Sequence, residues 1–242
     1  MRRFGFLFFA AILSSATVTT GTGLPSEVAD RLENMVSLAD TNDFVGSYRM
    51  TLSSVVQKPN GKARKESLIE AAIINHGDAT NRRLLKFIED GSDVTEKKRG
   101  KFEGDDGSHQ NDDSDEDDNL DLASPFGDTA NHYLFGAPET QGSTVVMTFE
   151  PAPGHDNDED ISWGMIAWDE ESLEPRWLEM EAVHPPKPLK ELRLRMEFNR
   201  INDDVFVSRL VTNGLAKILF LTREFHMDLR FDDIHPDAKL GD

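Results

Sequence analysis

In the run Leu219-Phe220-Leu221-Thr222-Arg223-Glu224-Phe225-His226-Met227-Asp228-Leu229-Arg230-Phe231-Asp232, apolar residues fall on every second position, with one break at Arg223, and from Thr222 onward polar residues occupy the positions between. A period of two marks a strand with one apolar and one wetted face, because successive side chains leave opposite sides of the pleat. Read as one strand, Leu219 to Phe231 would extend roughly 40 Å at ~3.3 Å per residue, and the strand is expected to begin at Leu215. Such a length predicts a large, curved antiparallel sheet whose apolar side something must cover.

Working outward, Leu192, Leu194, Met196 and Phe198 alternate with Arg193, Arg195 and Glu197 in a second one-sided strand. Further strands are expected at 44–52, 68–74, 82–89, 133–135, 145–149, 162–168, 176–183, 189–198 and 205–211. Turn-forming clusters separate them, among them Pro59-Asn60-Gly61, Asp90-Gly91, Gly136–Gly142, Pro185–Pro188 and Asn213-Gly214. No strand-helix rhythm accompanies them, so the fold class is mainly β with few helices. The helix is N-terminal: after Pro25 and Ser26, the residues Val28, Leu32, Met35, Val36 and Ala39 recur at helical spacing, ending near Asn42.

Arg2 and Arg3 precede the apolar run Phe4–Leu13, and Ser14, Ser15 and Ala16 supply small residues for a cleavage site, so residues 1–23 read as a secretory signal; cleavage could also fall among Thr20–Gly23. An apolar core of about ten residues is too short to span a bilayer, which needs roughly twenty. The chain has no cysteine, which excludes disulfides and lipid attachment through one. With 45 acidic against 26 basic residues the formal charge is -19. That field repels nucleic acid and anionic lipid surfaces. A soluble, exported or periplasmic monomer without a nucleic-acid partner is expected, and its roughly 220 mature residues fit one β domain, 24–242. From Val94 to Ala123 the alternation disappears. Lys97, Lys98, Arg99 and Lys101 are followed by an acid-dominated stretch, Asp105–Asp121, and 103–123 is expected to be a disordered acidic loop.

The seven histidines form no H-x-H or H-E-x-x-H pattern, so no metal site is expected. Asp113, Asp115 and Asp117, and likewise Asp156, Asp158 and Asp160, alternate, but neither set has the Gly and bidentate Glu that a calcium loop places at positions six and twelve. No nucleophile elbow, phosphate-cradling loop or dinucleotide fingerprint occurs, and neither a catalytic residue nor a cofactor is assigned. Tyr48, Met50, Trp163, Met165, Trp177, Met180, Met196, Phe198, Phe225 and Met227 are the candidates to line a cavity for a hydrophobic ligand, with core filling as the alternative. A transmembrane barrel also alternates in period two, but two tyrosines, Tyr48 and Tyr133, are too few for aromatic girdles.

Four segments carry a resemblance to a known family: the helix from Ser26 to Asp40, the strand Phe44-Val45-Gly46-Ser47-Tyr48-Arg49-Met50, the run Leu84 to Asp90-Gly91, and the stretch Trp163-Gly164-Met165-Ile166-Ala167-Trp168-Asp169 followed by Leu173 and Pro175-Arg176-Trp177-Leu178. Together they resemble the periplasmic lipoprotein-sorting carriers of the LolA and LolB type and the related RseB-like proteins. The resemblance implies a strongly curved, unclosed antiparallel β-barrel with an N-terminal helix covering its apolar face, and a cavity for acyl chains. It implies a carrier or binder of a lipid or lipidated protein, without catalysis. The alternative is an envelope interaction or regulatory module that uses the acidic loop to hold a basic partner.

Overall fold

The computed structural model describes residues 24–35, 38, 44–76, 79–103, 125–158, 160–218 and 221–236. The signal segment 1–23 and the acidic stretch 105–121 lie outside them.

The elements are α1 (Ser26–Glu33), β1 (Gly46–Gln57), β2 (Lys65–His76), β3 (Ala79–Glu89), β4 (Ser92–Asp93), α2 (Thr95–Glu103), a 3-10 helix (Gly127–His132), β5 (Tyr133–Phe135), β6 (Glu139–Gln141), β7 (Thr144–Pro151), β8 (Ser162–Asp169), β9 (Pro175–Ala182), β10 (Leu189–Ile201), β11 (Asp204–Ile218) and β12 (Leu221–Pro236). The strands form one 12-stranded antiparallel sheet in the order β4-β3-β2-β1-β12-β11-β10-β9-β8-β7-β5, with β6 also on β7. The first and last strands of that path do not pair, so the sheet is not closed. The expected unclosed, mainly β architecture is the one observed.

Directly opposed residues in an antiparallel pair share a face. Met50 opposes Phe231 and Ala71, Leu210 opposes Leu229 and Met196, and Leu178 opposes Met196 and Ile166. Ile166 in turn opposes Met147. One apolar face thus runs unbroken from β2 to β7. Against it α1 lays Val28 and Leu32, both essentially inaccessible, among Tyr133, Met147, Phe149, Ile166, Leu178 and Phe198. Burying each of those two side chains stabilises by about 1.5–3 kcal/mol. Arg31 ties the helix to the β8–β9 turn by donating to the Ser172 carbonyl at 2.7 Å. A second cluster, Leu38, Phe44, Tyr48, Ala71, Ile73, Phe206 and Phe231, fills the neighbouring part of the sheet, where the Tyr48 hydroxyl donates to the Leu38 carbonyl at 2.9 Å.

Three expectations need correction. Helix α1 stops at Glu33 and does not run to Asp40: the Asn34 side chain and backbone N–H both donate to the Asp30 carbonyl, at 2.7 and 3.0 Å, and close the last turn. Asn213-Gly214 is not a turn but lies inside β11 opposite His226 and Phe225, and the Leu215–Phe231 run is instead two strands, β11 ending at Ile218 and β12 starting at Leu221. The Phe225 ring lies so close over Gly214 that a Cβ there would meet it at 2.3 Å. Residue 214 therefore serves cross-strand packing. Finally, Thr95–Glu103, where the alternation stops and no element is expected, is a helix.

Helix α2 lies along the outer edge of β3. The Leu84 N–H donates to Glu103 Oε1 at 3.0 Å and the Phe87 N–H to Thr95 Oγ1 at 2.8 Å, while Thr95 itself donates to Asp93. Lys98 Nζ sits 5.2 Å from the Phe87 ring centroid. Side chains of the helix thereby satisfy edge donors that two-residue β4 does not reach. Thr95→Ala is expected to lower stability by about 1 kcal/mol and to accelerate hydrogen exchange at the Phe87 amide, measured by denaturant titration and NMR.

Candidate functional site

Among the described residues the cover on the apolar face is incomplete. At the end of the sheet where β1 runs into its turn and β12 begins, Leu221, Val56 and Met227 are 47%, 38% and 39% exposed. Leu52, Ile69, Leu210, Phe225 and Leu229 around them are half-buried. Register places all of these residues on the face that α1 covers farther along. Ser54 and Ser67, in the same floor, satisfy each other through an Oγ–Oγ contact of 2.8 Å. Two cations border it. Lys65 opposes Val56, and Arg223, the one break in the alternation, falls on this face between Leu221 and Phe225. Neither forms an ion pair among the described residues. The result is an open apolar strip ending in positive charge.

The opposite face is polar and internally matched. A cross-strand ladder runs from Glu179 to Arg195 (3.2 Å), on to Glu197 (3.4 Å), Arg209 (3.5 Å), Asp228 (2.9 Å) and Arg230 (2.8 Å). Asp228 is nearly buried, and hydrogen bonds from Arg209 and then Arg230 hold its carboxyl well below the usual carboxylate range. A half-open groove of about 590 Å³ crosses this face between β9 and the β1–β2 turn. Its polar lining is already paired: His226 Nδ1 lies 2.7 Å from Asn213 Oδ1, Gln57 donates to Glu224 at 3.2 Å, and Arg193 Nε donates to Glu181 at 3.1 Å. Apolar side chains, among them Val55, Leu192, Leu215 and Phe225, make up the rest of the lining.

The ten cavity candidates are not brought together. Tyr48, Met180 and Phe198 are buried in the packed clusters, and Met50 and Met196 border those clusters half-buried. Phe225 and Met227 stand on the open strip. Trp163, Met165 and Trp177 lie on the polar face, opposite or beside Glu181, Glu179 and Arg195; the Arg195 guanidinium stacks 4.5 Å from the Trp177 ring centroid. Their alternation with Gly164, Ile166 and Leu178 fixes that side. Leu52, Val56, Leu221 and Leu229, which the sequence reading did not single out as cavity residues, join the strip, and the signal for them was the same two-residue period.

No family model matches the chain, and no curated protein matches it. Among solved structures, a domain described as an outer membrane lipoprotein-sorting protein domain from Vibrio parahaemolyticus is 12% identical, with a TM-score of 0.38 and coverage of 92% of this chain and 96% of that one. The complex of MucA and MucB from Pseudomonas aeruginosa is 10% identical, with a TM-score of 0.25 and coverage of 88% and 99%. These are the kinds of protein the sequence resembles. At these superpositions the likeness is one of outline. Among the described residues no helix is long and apolar enough to cross a membrane.

Because the Asp228 pKa is depressed in the folded state, its contribution is complete above the unfolded value of about 3.9 and is lost as pH falls below it toward the folded pKa. Asp228→Asn is expected to lower stability at pH 7 by about 1–2 kcal/mol and to flatten the acid limb of the stability profile below about pH 4, both read by denaturant unfolding across pH.

Proposed function

We propose that this protein is an exported, non-catalytic binding protein that accommodates a lipid or a lipidated polypeptide along the open end of its apolar face. The observation that carries the reading is the pairing of an apolar strip left exposed with two cations, Lys65 and Arg223, that form no ion pair among the described residues; Arg223 donates to the Thr222 carbonyl, at 2.9 Å. An acyl chain lying on Val56, Leu52, Met227 and Leu229 would gain about 0.8 kcal/mol for each methylene removed from water. An anionic or carbonyl-rich head group would meet Lys65 and Arg223 in a protein whose overall field otherwise repels anions. Methionine adapts its shape readily, which suits chains of differing length. The hydroxyls in its floor, Ser54 and Ser67, are engaged with each other at 2.8 Å, and uptake and release are the chemistry of this reading.

A diacylated lipopeptide and the same peptide without acyl groups, titrated against the purified protein by fluorescence anisotropy, test the reading. The acylated form is expected to bind at least tenfold more tightly. The Val56→Asp/Met227→Asp variant, whose substituted positions are already exposed, is expected to keep its thermal midpoint and lose at least tenfold in lipopeptide affinity. Equal binding of the two peptides would overturn the reading.

A further inference from the structure

Two imidazoles and a carboxylate converge at the far end of the sheet from the open strip. His132 ends the 3-10 helix before β5, and His155 and Asp158 stand in the β7–β8 connection. The imidazole rings stack with centroids 4.0 Å apart and an interplanar angle of 17°. One oxygen serves both: Asp158 Oδ2 lies 2.8 Å from His155 Nδ1 and 3.7 Å from His132 Nδ1. One ligand atom from each of the three residues falls within 4.8 Å of the others.

The backbone around these groups is held from several directions. The Ala152 N–H donates to the His132 carbonyl at 2.7 Å, joining the two segments directly. Successive turns follow, with His155 N–H to the Ala152 carbonyl at 3.0 Å and Asp158 N–H to the His155 carbonyl at 3.1 Å. On either side Tyr133 and Ile161 are buried in the larger apolar cluster, so the donors are carried between two core anchors. His184 Nε2 lies 2.7 Å from the Asp156 carbonyl and fixes the connection to the segment after β9. The three donor side chains remain about one third to one half exposed, and an ion can reach them from solvent.

We propose that His132, His155 and Asp158 bind a divalent first-row transition ion of the zinc class, which clips the 3-10 helix to the β7–β8 connection. Two imidazole nitrogens and one carboxylate oxygen suit borderline ions such as Zn²⁺, Co²⁺ or Ni²⁺, whereas Ca²⁺ and Mg²⁺ demand an oxygen shell. The ion takes the place of the shared proton between His155 Nδ1 and Asp158; that proton moves to Nε2, leaving both imidazoles neutral with Nδ1 lone pairs available. Small side-chain rotations close the donors to the separations that bonds of about 2.0–2.2 Å require. The half-exposed setting leaves the remaining positions to water. The site stands apart from the apolar strip, and binding there is independent of the proposed lipid function.

The test uses the purified protein stripped of metal with a chelator, titrated calorimetrically with Zn²⁺ in excess Mg²⁺, which occupies diffuse acidic sites. One equivalent of Zn²⁺ is expected to bind, with affinity reduced at least tenfold in each of His132→Gln, His155→Gln and Asp158→Asn. Unchanged Zn²⁺ affinity in these variants, or no Zn²⁺ uptake in the presence of Mg²⁺, overturns the proposal. A second measurement needs no variant: Zn²⁺ is expected to shift the imidazole nitrogen resonances of His132 and His155 in the wild-type protein, while His76, His226 and His235 stay in place. Shifts spread over all histidines, or absent from His132 and His155, overturn it equally.

Discussion

Everything in this molecule depends on side-chain parity being carried from strand to strand. A residue faces either α1 or solvent, and a slip of one position in any long pair would reverse every side chain beyond it. The polar ladder resists that slip. If β11 shifted by one residue against β12, Arg209 would lose Asp228 and turn to the apolar face that carries Leu229 and Phe231. The ladder thus adds more as a constraint on register than as a sum of partly exposed ion pairs, each of which is individually weak. The irregularities in pairing between Glu70 and Ala71 and between Glu197 and Phe198 are absorbed without breaking the apolar face.

Given that face, the covering elements decide which part becomes core and which part remains a surface. Val28 and Leu32 complete a dry layer over β5 to β10, and Leu38 with Phe44 completes another beside it. At the beginning of β12 no described element takes that role, and the strip there keeps the composition of a core while remaining wet. A chain under selection for stability alone would substitute polar groups at Val56, Leu221 and Met227. Exposed apolar side chains of this kind cost solubility, and the binding proposed above would cover them.

Much of this was legible in the residues. The alternation around Leu229 and around Leu194 specifies one-sided strands, and Val28 and Leu32 mark the helical face that covers them. Where the reading failed, a nonlocal contact overrode a local signal. Asn213-Gly214 carries strong hairpin chemistry, yet the absent Cβ of Gly214 is used to seat the Phe225 ring. Helix α2 has little apolar content beyond Phe102, and its place is set by hydrogen bonds to the β3 edge, which no periodicity encodes. Trp163, Met165 and Trp177 were grouped with Met180 by chemical type, although the pleat sends them to the other side. His132 and His155 belong to separate elements, and only the folding back of the β7–β8 connection juxtaposes them.

The hydrogen bonds from Leu84 and Phe87 to side chains of α2 have a consequence for behaviour in a crowded compartment. An unclosed sheet ends in two strands with free backbone groups, and such rims recruit other chains by strand addition, the first step toward fibrils. Here one rim is occupied by a helix that cannot be extended by a neighbour, and at the other end the edge along β7 is made of two three-residue strands, Tyr133–Phe135 and Glu139–Gln141. The architecture can therefore stay open for a guest on its broad side without becoming sticky along its margins.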